Sequence, residues 1–186
     1  MRVFLDFEAS SLSDDSYPIE VGWVFEDGRT EAHLIRPAPQ WTDWDAEAEA
    51  LHGISREALW AEGTPHDVVA RRILEVLGPH TVYVSAPSWD GKWLSVLLRA
   101  AGLPRHAMRL KDTAEAHEAA AADALAAASP PNHLHAEVDE VLSDVVDALA
   151  DQPPAHRALA DAERERAVWM EVGRRAAQRA KRLRPD

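Results

Sequence analysis

The apolar positions of this chain change their spacing several times, and each change marks an element. The run Arg2-Val3-Phe4-Leu5-Asp6-Phe7 reads as a buried strand. Pro18-Ile19-Glu20-Val21-Gly22-Trp23-Val24-Phe25 reads as a second, with a turn at Glu26-Asp27-Gly28. Thr30 to Arg36 is a third, closed by Pro37 and Pro39, and together they predict an antiparallel meander. Helical spacing then takes over. Asp45 to Leu51 and Ser55 to Trp60 read as short helices, the second capped by Ser55. Thr64 is expected to open a longer helix with Pro65 at its first position and Val68, Val69, Ile73, Leu74, Val76 and Leu77 as its apolar set, stopped by Gly78-Pro79. Thr81 to Ser85 is a short strand, Asp90 to Ala101 a helix stopped by Gly102, and Arg109 to Lys111 a fifth strand. Three more helices are expected: an Ala-rich one over 113–128, an amphipathic one over 134–150 after Pro130-Pro131, and a last one over about 156–182 after Pro153-Pro154. A meander followed by strands alternating with helices predicts an α/β fold, a mixed sheet flanked by helices.

Length is consistent with this picture: 186 residues suit one domain with a full core. No apolar run approaches a membrane span, and the strand-like first residues do not read as a signal peptide. Cysteine is absent, which excludes disulfides and thiolate metal sites and is compatible with a cytoplasmic location. The net charge of -12 is unevenly spread. From Glu163 onward there are eight Lys or Arg against four Asp or Glu, while residues 1–162 carry 12 against 28. So acidic a body is a poor match for a protein that coats duplex DNA by general electrostatics.

The chemistry enters with Asp6 and Glu8. Strand side chains alternate faces, so the two carboxylates point the same way. Two like charges near the start of a core strand repel each other and are costly to bury without a neutralising cation. A solvated strand end is the plain alternative. A metal site would need further oxygen ligands, and two segments offer them. Asp90 follows a short strand in Ser85-Ala86-Pro87-Ser88-Trp89-Asp90. It could equally be an ordinary acid at a helix start. His156 stands after the Pro-Pro break with Asp161 five residues on. A surface histidine and a solvated aspartate would give the same pattern.

Taken in order, these segments resemble the DEDDh family of 3′→5′ exonucleases. Phe4-Leu5-Asp6-Phe7-Glu8-Ala9-Ser10 is similar to its first motif, Trp89-Asp90-Gly91-Lys92-Trp93-Leu94 to its second, and His156 with Asp161 to its third. His52-Gly53-Ile54-Ser55 is similar to a segment between the first two, and Pro18-Ile19-Glu20-Val21-Gly22 fits the second strand. The chain departs from the family where Ser10-Ser11 stands in place of Thr-Gly, Ser85 in place of Asn and Trp89 in place of Phe. None of these changes removes a metal ligand.

The resemblance implies a ribonuclease H-like mixed five-stranded sheet within a single exonuclease domain over 1–186. It implies hydrolysis of phosphodiester bonds from the 3′ end of single-stranded DNA, RNA or short oligonucleotides. Asp6, Glu8, Asp90 and Asp161 would hold two divalent ions, Mg²⁺ or Mn²⁺, and His156 would be the general base. Ala9, Ser10, Ser11, Leu12, His52 and Ile54 would surround the terminal nucleotide, with Leu12 as a wedge. For Leu12 and Ile54, simple core packing is the alternative. Trp23, Trp60, Trp93 and Trp169 fit core patterns, whereas Trp41 and Trp44 are the candidates for stacking. No membrane partner is expected, and a homodimer stays open, as does a non-catalytic nucleic-acid-binding or scaffold domain on the same fold.

Overall fold

The first strand, β1 (Arg2–Ala9), pairs with two neighbours: antiparallel with β2 (Pro18–Phe25) and parallel with β5 (Thr81–Val84). This arrangement comes from a computed structural model, which describes residues 1–149 and 153–183. Val3, Phe4, Leu5 and Phe7 are almost fully buried, as are Ile19, Val21, Trp23 and Val24 opposite them. A strand with apolar side chains on both faces belongs in the middle of a sheet covered on both sides. Beyond β2 lies β3 (Thr30–Arg36), antiparallel to it.

The sheet has six strands, in the order β4-β3-β2-β1-β5-β6. The additional strand is β4 (Thr64–Pro65), a two-residue ladder parallel to Ile35 and Arg36. The sequence predicts a helix from Thr64. Instead Pro65 takes ψ 133°, outside the helical range, and the helix begins one residue later. A proline tolerates both settings, since an edge position and a helix start alike make no demand on its missing N–H. The last strand, β6 (Leu110–Asp112), is short and corresponds to the expected fifth strand.

The helices follow the predicted order. α1 (Ala46–His52) is capped by Asp45, whose side chain accepts from the Glu47 N–H, and ends at Gly53 with φ 69°. That left-handed conformation is costly for residues with a Cβ. α2 (Arg56–Glu62) is capped by Ser55 as expected, and α3 (His66–Leu77) buries Val69, Ala70, Ile73 and Leu77. α4 (Pro87–Ala100) begins three residues earlier than predicted, with Pro87 at its first position. α5 (Thr113–Leu125), α6 (Leu134–Leu149) and α7 (Ala158–Leu183) complete the set. The predicted end of α6 at Ala150 lies outside the described residues.

The chain divides into two compact units that alternate along the sequence. One is Met1–Lys111 with Pro154–Glu163, and the other is Asp112–Pro153 with Arg164–Asp186. The first holds a core built around Leu5, Val21, Trp23, Ile73 and Leu97. The second is helical, its core made of Ala121, Leu125, Val138, Val141, Val145, Val172, Ala176 and Ala180. Small alanines at these positions let helix backbones approach closely. Among the described residues no helix is long and apolar enough to cross a membrane.

Two glycines in the first unit have opposite roles. A Cβ on Gly22 would meet the Leu159 backbone N at 2.3 Å and Cα at 2.5 Å, so the start of α7 lies directly on β2. A Cβ on Gly91, inside α4, would meet nothing within 4 Å. Gly22→Ala should therefore lower stability by about 1–3 kcal/mol or more through overpacking. Gly91→Ala should raise it by about 0.5–1 kcal/mol, because alanine is the better helix former. Thermal melting followed by circular dichroism checks both signs, and equal effects would contradict the close approach at Gly22.

Candidate active site

β1 carries Asp6 and Glu8 on one face and delivers both to the same place. Their cross-strand neighbours on β2 are Gly22 and Glu20, respectively. The ladder shifts register between Glu8 and Ala9, so the regular strand ends just past the pair. Asp161, in the first turn of α7, joins them: one ligand oxygen from each of Asp6, Glu8 and Asp161 lies within 4.8 Å of the others. All three are half-buried. Burial pushes the Glu8 carboxyl up to about 7, and the charges of Asp161, Glu20 and Asp90 push the same way against the opposing pull of Arg157. Such repulsion is what a cation would relieve.

The segment before α7 is held in an unusual backbone shape. His156 has φ 53°, and it is the one described non-glycine residue with positive φ. The Asp161 carboxylate brackets it, accepting from the Ala155 N–H at 2.9 Å and from the Arg157 N–H at 3.2 Å. The left-handed shape costs about 1 kcal/mol or more for a residue with a Cβ. These bonds, and those of Arg157 itself, offset it. The Arg157 guanidinium donates to both carboxylate oxygens of Glu20, at 2.7 and 3.1 Å, and the Ala158 N–H donates to Glu20 at 2.9 Å. Glu20 is buried at 4% exposure, so this bond set is shielded on the carboxylate side.

Glu20 and Arg157 are absent from the residues predicted for the site. The signal for Glu20 was present in Pro18-Ile19-Glu20-Val21-Gly22: a charged residue in an otherwise apolar strand must have a buried partner. Its partner, 137 residues away, could not be read from spacing.

Asp90 sits in the first turn of α4 and is only 1% exposed. Burial pushes its carboxyl up to about 7, while backbone N–H groups of Ala86 and Phe7 pull it down. The bond from Ala86 is 3.2 Å long. Asp90 is thus not one of the three tightly grouped carboxylates, although its charge is felt by Glu8. The donor set is entirely oxygen from carboxylates, which suits a hard divalent cation. Three adjoining acids, two of the four candidates with carboxyls raised to about 7, fit such an ion.

Of the grouped carboxylates, Glu8 opens onto a cleft of about 420 Å³. Glu8, Ala9, Ser11 and Leu12 line one side and Asp45, Glu47, Leu51 and His52 the other; His156 also faces it. Leu12 is 70% exposed, so core packing does not account for it. Of the residues expected around a terminal nucleotide, Ala9, Ser11, Leu12 and His52 line this cleft, whereas Ser10 and Ile54 are buried in the interior. The His52 Nδ1 accepts from the Ile54 N–H at 3.0 Å, and burial holds its ring below the usual histidine range.

The serines that depart from the family pattern have a clear structural role. Ser10, Ser11 and Ser13 all donate to the Asp43 carboxylate, at 2.8, 2.6 and 2.9 Å. Burial raises the Asp43 carboxyl, but these three hydroxyls and the charge of Lys92 outweigh it, leaving the group below the usual range. Lys92 donates to the Ser13 carbonyl and to Ser16, and Trp93 Nε1 donates to Ser16 at 3.0 Å. The loop after β1 is thereby fastened both to the segment before α1 and to α4. Trp41 is buried and stacked on Tyr17 at 5.0 Å, and Trp44 is half-buried with its Nε1 bonded to Glu49. Both have structural partners within the fold. Trp60 is 48% exposed and Trp23 fully buried.

No protein-family model matches the sequence, and no curated protein matches it. Solved structures do match. The zinc-bound form of the E. coli ExoI–ssDNA complex has a TM-score of 0.66 at 16% identity, covering 97% of this chain and 42% of that one. E. coli exonuclease I in complex with a dA16 oligonucleotide matches with TM-score 0.66 at 17% identity, covering 96% and 42%. A moderately thermophilic exonuclease I from Methylocaldum szegediense gives 0.66 at 16%, covering 96% and 41%. The chain therefore spans about two fifths of the length of these proteins. At such identity the likeness establishes architecture: this chain has the α/β fold seen in the exonuclease I structures.

Proposed function

We propose that this protein is a metal-dependent 3′→5′ exonuclease acting on single-stranded nucleic acid. The observation that carries this reading is the grouping of Asp6 and Asp161 with Glu8, which itself lines a cleft shared with His156. The architecture supports it, since structures of exonuclease I with the same fold hold single-stranded oligonucleotides. Asp6, Glu8, Asp161 and Asp90 would hold two divalent cations, Mg²⁺ or Mn²⁺, which supply charge neutralisation at the scissile phosphate and acidify water.

The protein's own residues do the rest. His156 takes the proton that the attacking water loses, a task to which an imidazole nitrogen lone pair is suited. Its left-handed backbone, bracketed by Asp161, fixes where the ring stands. Leu12, His52 and Ala9 would contact the terminal nucleotide, with exposed Leu12 against its base. The Asp43 network holds the Leu12 loop in place, so the wedge does not have to be ordered at each binding event.

His156→Ala and Asp6→Ala should each slow hydrolysis of a single-stranded oligonucleotide at least about a hundredfold without lowering the melting temperature. Full activity in either variant would remove the assignment. EDTA should abolish cleavage, with Mn²⁺ or Mg²⁺ restoring it. A 3′-phosphate should impede it.

The raised carboxyls also make stability depend on pH. Without cations Glu8 and Asp90 rise from ordinary values of 4.5 and 3.8 to about 7 in the folded protein. The native state then binds more protons than the unfolded chain between those values. Its stability is full below the unfolded values and falls as pH rises through about 7. Melting temperatures in EDTA should drop between about pH 5 and pH 8, and Mn²⁺ should raise them more at the higher pH. A Mn²⁺ effect independent of pH would contradict this.

A further inference from the structure

A second concavity lies on the other side of α4. It encloses about 310 Å³ between the N-terminal half of that helix and the segment leading into β6. Pro87, Gly91 and Leu94, four and three residues apart, supply the helical wall. Arg105, His106 and Arg109 supply the opposite wall, and no Asp or Glu lines the groove. All three of these residues are exposed. Among the described residues, neither Arg105 nor Arg109 takes part in an ion pair.

The local composition is as unusual as the geometry. Residues 91–111 hold five Lys or Arg and no Asp or Glu, in a chain of net charge -12. The segment is anchored rather than loose, because Leu103, Met108 and Leu110 pack against the core. The position of a Cβ on Gly91 is open, so nothing obstructs an extended chain lying against the helix there. Cationic side chains with no ion-pair partner are held in a groove of a chain that is acidic as a whole. A polyanion is the ligand such a surface fits.

Charge asymmetry across the cleft says which polyanion and in which direction. On the α1 side the cleft is lined by Asp45 and Glu47, which repel a phosphate backbone. On the α4 side Asp90 belongs to the candidate centre, and Gly91, the next residue, belongs to the basic groove. A helix is only about 10 Å across, so a strand ending at the carboxylates reaches the groove within a few nucleotides. We propose that Arg105 and Arg109 bind the phosphates of a single-stranded nucleic acid a few nucleotides upstream of its 3′ end. The placement of that end rests on the exonuclease reading, while the binding of phosphates by the groove does not.

The test uses the double variant Arg105→Ala with Arg109→Ala, and as probe a 5′-fluorescein dodecathymidylate followed by anisotropy in EDTA. The variant should bind it about tenfold more weakly at low salt. The slope of log Kd against log salt should be shallower by about 1.4, at roughly 0.7 per single-strand phosphate contact. With Mn²⁺, hydrolysis of the p-nitrophenyl ester of thymidine 5′-monophosphate, too short to reach the groove, should be unchanged within twofold. An unchanged Kd and slope would overturn the proposal, as would equal losses on the dodecamer and the ester. Wild-type protein that binds with this salt dependence but cleaves neither substrate would leave the groove standing and remove the exonuclease reading.

Discussion

One buried carboxylate holds the candidate centre together. Glu20 lies beside Glu8 across the β1–β2 ladder, yet it faces the start of α7 and takes four hydrogen bonds from Arg157 and Ala158. Gly22, two residues along the same strand, leaves the space that the α7 backbone enters. A glutamate to bind and a glycine to yield, both on one face of β2, set the height at which Asp161 and His156 arrive. Without that docking Asp6 and Glu8 would be two acids on a strand. With it, a third carboxylate comes within 4.8 Å of them.

The same docking creates an electrostatic debt. Glu8, Glu20, Asp90 and Asp161 all act on one small region, and Arg157 is the main internal cation opposing them. Its charge is directed mostly at Glu20. The residual negative potential falls on Glu8, whose carboxyl rises to about 7. A purely structural cluster would have been served better by a second arginine. The arrangement leaves the neutralising role to something from outside the chain, which is the reasoning behind a divalent-ion site.

Much of this was legible in the sequence, for identifiable reasons. The apolar runs of β1 and β2 and the caps at Ser55 and Gly78 are local signals, and the elements they define formed where expected. The pair Asp6 and Glu8 was readable because a strand has period two. β4 has no signature in the sequence because two residues carry no periodicity, and Pro65 is compatible with both a strand edge and a helix start. Glu20 was visible as an anomaly but its partner was not, because the pairing spans 137 residues. The Asp43 cluster is illegible for the same reason: the partner that Ser10 and Ser11 bond to comes more than thirty residues later. Trp41 and Trp44 looked available because they lie between prolines and a helix, where loops are usually exposed. Packing on Tyr17 and a bond to Glu49 occupy them instead.

The chain leaves the first compact unit at Lys111, builds most of the second, and returns for only the ten residues from Pro154 to Glu163. Those ten include His156 and Asp161. During synthesis, the sheet with Asp6, Glu8 and Asp90 can therefore be complete while Asp161 and His156 are still inside the ribosome. Closing the centre means joining Asp6 to a residue 155 positions downstream, the kind of non-local contact that comes late and slowly in folding. An unfinished chain thus has Asp6, Glu8 and Asp90 in place but neither Asp161 nor His156. The order of the sequence delays the three-carboxylate grouping until nearly the whole chain has been made.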